Sequence, residues 1–237
     1  VNHRLYPMSA RVPFLKTNLF LLLVFSQCVL FEPKISKVPD AYVREEVMNG
    51  EQKNATKILT EKIIKLNNEV SSQRKANALT NQAIKISQAK VIKHAAERDL
   101  KRTKESYFTL KEDQVSAKRY LEESQTVELE RAKEETRYKT WVQKEKEDKA
   151  YLEMKEAALG ELIAELELVR SEIAVKFQES QGKTPADPEY IKKEIYETQY
   201  AEKKSDARRR LSDWERVKAE APSLPKVNLE DSFDDSK

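Results

Sequence analysis

The side chains that most often carry chemistry are few in this chain. Two histidines, His3 and His94, and a single cysteine, Cys28, are spread over 237 residues. Proton transfer near neutral pH and transition-metal binding draw mainly on histidine, and thiol nucleophiles and zinc sites on cysteine, each in company with partner residues. His94 stands alone between Lys93 and Ala95, the setting of a surface histidine rather than of a metal ligand or general base. Cys28 has no CxxC partner. Three glycines, Gly50, Gly160 and Gly182, are too sparse for a phosphate-cradling loop, a dinucleotide fingerprint or the central turn of an EF-hand. Aspartate and glutamate are abundant but interleaved with lysine, as in Lys144-Glu145-Lys146-Glu147-Asp148-Lys149, which is the pattern of a solvated helix face with i to i+4 pairs. The expectation is a chain that is not an enzyme and takes no cofactor or metal.

The elements that hold these residues are long helices. No proline lies between Pro39 and Pro185, and 36% of the residues are charged. A continuous helix over that stretch would be on the order of 200 Å long, so the chain is either a rod or folds back at turns made without proline. The predicted fold class is all-α: long charged helices forming coiled coil, with a C-terminal antiparallel helical hairpin. Residues 41–148 form the coiled-coil region, its helix starting just after an Asp40 N-cap. Breaks are expected near 50, at Asn49-Gly50, and over 67–77, where Asn67-Asn68 and Ser71-Ser72 are weak helix formers. Leu59, Ile63, Leu66 and Val70 follow the four-three spacing of a seam, and Gln73, Asn77 and Thr80 occupy its continuation. A narrow stripe follows through Ile84, Ile86, Val91, Leu100, Tyr107 and Leu110, with Ala89, Ala95 and Ala96 small enough to let helices approach closely.

The strongest periodicity begins at Tyr138 and Trp141 and continues through Leu152, Leu159, Leu162, Leu166, Val169 and Ile173. Gln181-Gly182 then stops the helix, and Asp187-Pro188 reads as the N-cap and first residue of the next. The hairpin is therefore placed at 149–221, with Ile195, Leu211 and Trp214 packing against Leu152, Leu159 and Leu162. Residues equidistant from Thr184-Pro185 should meet. Residues 222–237 read as a disordered acidic tail, carrying Glu230, Asp231, Asp234 and Asp235.

At the other end, Arg11 and Lys16 precede the apolar run Leu19 to Phe25, which resumes at Cys28 and ends at Phe31 before Pro33. A basic flank, a short apolar core and small residues after it describe a secretory signal peptide over 1–28, cleaved after Cys28, with 1–7 upstream of a true start at Met8. Residues 29–40 are a linker. Asn54-Ala55-Thr56 is an N-glycosylation acceptor, consistent with a secretory lumen.

The net charge of +3 gives no argument for nucleic acid. Lys101, Arg102 and Lys104, and Arg208, Arg209 and Arg210, are the basic clusters available to dock an anionic partner. The function expected is a non-enzymatic, self-associating coiled-coil structural or assembly protein of the secretory pathway, extracellular or in a granule lumen, whose partners are its own copies or other coiled-coil subunits. Leader, charged helices and scarce cysteine resemble in outline the helical matrix and granule-lattice proteins of protists, which tend to be acidic where this chain is slightly basic. Two alternatives are carried. One is a membrane-anchored stalk or accessory subunit, in which the leader is uncleaved, similar in outline to the peripheral stalk of a rotary ATP synthase. The other is a helical adaptor for an acidic partner.

Overall fold

The computed structural model describes residues 35–221. The leader 1–28, most of the linker and the tail 222–237 lie outside the described residues, as do His3 and Cys28. The fold is all-α, with three long helices: α1 (Gly50–Leu110), α2 (Gln114–Ser180) and α3 (Lys193–Glu220). α1 and α2 have 61 and 67 residues. Each therefore runs roughly 90–100 Å. They lie antiparallel along their whole length, and α3 folds back on the C-terminal half of α2.

The helix does not start after Asp40. Residues 40–42 and 45–47 form single 3-10 turns, and α1 begins where Asn49 builds a full capping box with Gln52. The Asn49 side chain accepts from the Gln52 N–H at 2.8 Å and the Gln52 side chain accepts from the Asn49 N–H at 3.3 Å. No break occurs at 67–77: α1 is continuous there, because pairing with α2 outweighs the weak propensities of two asparagines and two serines. The chain turns instead at Lys111–Asp113. Glu112 takes the left-handed conformation, at φ 61°, and the Asp113 N–H donates to the Phe108 carbonyl and that of Glu112 to Thr109. This is the Schellman stop that glycine usually makes. Asp113 then caps α2, accepting from the Ser116 N–H at 3.1 Å. The stop after α2 repeats the pattern with Gly182 at φ 75°.

α3 starts at Lys193, not at Pro188. Asp187 closes a tight loop turn by accepting from the Thr184 N–H at 2.6 Å. Residues 189–192 run extended beside α2, where the Gln178 side chain bonds the Glu189 carbonyl and the Ile191 N–H, both at 2.8 Å. Extended chain covers about twice the length of helix per residue. The register is therefore shifted from the symmetric one: Lys193 pairs with Glu172, Arg210 with Glu153, and Trp214 stacks on Tyr151. The α3 seam is Tyr196, Tyr200, Lys203, Ala207, Arg210 and Trp214, against Ala164, Glu167, Ser171 and Ala174 of α2. Ile195 and Leu211, expected in this interface, fall one residue off that seam and are 47% and 42% exposed.

Residues 35–40 are extended, and they form a strap across α2 and α3 rather than a free linker. Val38, 2% exposed, packs with Ala174 and Tyr196. Its N–H donates to the buried Glu167 carboxylate at 2.7 Å and its carbonyl accepts from Arg170 at 3.0 Å. The same guanidinium pairs with Asp40.

Candidate functional site

The feature that distinguishes this chain is the seam between α1 and α2, which changes character along its length. Cross-helix pairs fix one antiparallel register: Gln52 with Lys176, Glu69 with Lys155, Arg74 with Glu156, Arg98 with Glu128, and Lys101 with Glu123. In that register Leu59, Ile63, Leu66 and Val70 fall opposite Leu166, Leu162, Leu159 and Lys155, with Val169 and Ile173 toward Gln52. The leucine track of α2 thus faces α1, so Leu152, Leu159 and Leu162 are not the partners of Trp214. Lys155 and Asp148 lie on that track and reach α1 directly, which orients the leucines between and beyond them.

Next comes a polar layer. Gln73 donates to the Asn77 side chain at 2.8 Å, and Asn77 donates to the Asp148 carbonyl at 3.3 Å. Thr80, 1% exposed, donates to the Asp148 carboxylate at 3.0 Å. These residues continue the seam instead of ending it. One heptad farther, Trp141 is 1% exposed and faces the stretch of α1 that holds buried Ala83 and Ser87. The small side chains there leave room for the indole.

Beyond Trp141 the two helices run without α3, whose last turns reach only Tyr151 and its neighbours. This arm is held mostly by charge. His94 is a seam residue, not a surface one: its side chain is 17% exposed, with Nδ1 3.4 Å from Glu97 and 3.8 Å from Glu130. Arg98 bridges Asp99 at 2.7 Å and Glu128 at 3.1 Å, and Arg131 adds a bond to Glu128 at 2.8 Å. At the tip Phe108 stacks on Tyr120, ring centres 5.4 Å apart, while Lys101, Lys104 and Arg119 lie over the Tyr120 ring. Two of the predicted docking cations, Lys101 and Lys104, are thus turned into the arm, and Arg102 is exposed. In the other cluster Arg209 pairs with Asp206 and Arg210 with Glu153, and Arg208 faces solvent. Asn54 is exposed in the second turn of α1.

The arm's carboxylates are tuned by these cations. The Lys101 hydrogen bond holds Glu123 below its usual range, and the Arg131 bond, then Arg98, does the same for Glu128. A carboxylate with a lowered folded pKa stabilises in full above its unfolded value and loses that contribution as pH falls through the folded one. The melting temperature should therefore fall between pH 5 and 3, and added salt at pH 7 should reduce the difference. Circular dichroism melts that superimpose across that pH range would show the pairs to be inert.

Sequence reading missed the Glu167–Arg170 clamp on Val38 and the role of Asp148. Asp148 was legible as an acid on the seam track facing polar Asn77 and Thr80, whereas the clamp joins residues more than a hundred positions apart and leaves no local signal. Among the described residues no group of three or more His, Cys, Asp and Glu could hold a metal ion, and no helix is long and apolar enough to cross a membrane. No protein-family model, curated protein or solved structure matches the chain.

Proposed function

We propose that this chain is a non-enzymatic structural or assembly component: a stiff helical arm on a three-helix base, which holds partners at a distance. The observation that carries this reading is the closure of the α1/α2 seam within one chain. A single antiparallel register runs from Gln52 and Lys176 to Lys101 and Glu123. The narrow apolar seams that argued for self-association find their partners intramolecularly, so a second copy is not needed to bury them. Assembly would then run through the arm's outer faces and tip. The leader-like run before Cys28 supports placement in the secretory pathway.

Small-angle scattering of the purified chain tests the shape this role requires. A maximum dimension on the order of 100 Å or more is expected from the length of α2. A compact particle near the size of an ordinary globular domain would remove the basis for a spacer.

A further inference from the structure

The arm carries a second seam that nothing in the described residues covers. Leu79, Ile86, Leu100, Tyr107 and Leu110 recur on α1 with Ala89 and Ala96 at the intervening three-four positions. This stripe points away from the track that pairs with α2. Leu79, Leu100, Tyr107 and Leu110 are 51%, 54%, 51% and 86% exposed. Over the same length the inner seam holds His94, Arg98 and Lys101. The outer stripe of α1 is therefore more apolar than the face already paired, an inversion that a free solvated helix has no reason to show. Alternating spacing is the geometry into which another helix packs, and alanines one heptad apart let it come close.

The flanks say what kind of helix. Lys85, Lys90, Lys93, Lys104 and Lys111 line the stripe, against Glu97 and Asp99. Of those two acids, Asp99 is tied to Arg98 and Glu97 lies beside His94. A second copy of this chain fits poorly: parallel pairing sets Lys93 against Lys93, and antiparallel pairing about the stripe's centre sets Lys85 against Lys104. Like charges across a helix interface are repulsive and select against that partner. We propose that the outer stripe of α1, from Leu79 to Leu110, is the docking site for an amphipathic helix of another protein whose apolar seam is flanked by glutamate or aspartate. This rests on the reading of the arm as an assembly element, and names the surface and chemistry of its partner.

The probe is a synthetic four-heptad peptide with leucine at the seam positions and glutamate at both flanks, compared with its lysine-flanked counterpart, each titrated into the full chain. The glutamate peptide should bind at least about tenfold more tightly, a margin that narrows with salt. Leu100→Glu should weaken it by about tenfold or more, while Leu129→Glu, at a residue 66% exposed on α2, should leave it unchanged. Both substitutions are at exposed positions, and unchanged circular dichroism melts would confirm that the fold is kept. Equal binding of the two peptides, no binding of the glutamate peptide, or indifference to Leu100→Glu would overturn the proposal. So would a free chain that sediments as a dimer dissociated by Leu100→Glu, which would give the stripe to a second copy. Binding by a chain ending at Ala221 but not by the full chain would give it to the chain's own acidic tail. An elongated particle in scattering that ignores both peptides would leave the spacer reading standing and this one refuted.

Discussion

Trp141→Ala is expected to destabilise the chain by about 3–5 kcal/mol, the range for deleting a fully buried aromatic. Trp141 is 1% exposed and fills the seam between the polar layer at Asp148 and the charged arm. Its neighbourhood on α1 holds small side chains that cannot close over the void, so the cavity term adds to the lost burial. Trp214→Ala gives the contrast. Trp214 is only half-buried, lying on Tyr151 with Lys218 over its other side, and its loss should cost about 1–2 kcal/mol rather than the 3 kcal/mol or more of a core anchor. Chemical denaturation of the two variants measures both. Equal costs would mean that Trp141 is not enclosed between α1 and α2.

The second large effect concerns the backbone. Ser72→Pro is expected to cost about 3 kcal/mol or more, because proline removes an i to i−4 bond and clashes with the preceding turn. Ser72 is exposed in the middle of α1, so its side chain contributes little and the measurement reports helix continuity alone. Were the chain to bend at 67–77, as the local composition suggests, proline there would be tolerated to within about 0.5 kcal/mol.

That disagreement shows what periodicity could and could not reveal. The helical class, the Gly182 stop and both leucine tracks are legible because spacing and a glycine state them locally. The turn at Glu112 is not, because a glutamate holds the left-handed position that glycine marks elsewhere, and the only local hint is Asp113, which serves as the next N-cap. Conversely Asn67, Asn68, Ser71 and Ser72 look like a break and are not, since facing residues of α2 decide the outcome. The same limit affected the seams. Which of two tracks on α2 meets which helix depends on where the chain reverses, so misplacing the first turn assigned Leu152, Leu159 and Leu162 to α3. Tyr196 and Ala207 mark the true α3 face, whereas Ile195 and Leu211 are more apolar and drew the seam one residue to the side.

The intrachain antiparallel hairpin is the claim on which the arm, its buried seam and its open stripe all depend. It is tested most directly by pulsed electron spin resonance between labels at Lys75 and Lys149, both exposed, introduced as cysteines in a Cys28→Ser background. Those positions straddle the Arg74–Glu156 and Asn77–Asp148 contacts. The hairpin predicts a label separation of roughly 10–25 Å, set by helix spacing and label length, and unchanged when labelled protein is diluted with unlabelled. A distance on the order of 100 Å, as a continuous rod would give, or a short distance lost on dilution, as pairing between chains would give, would contradict it.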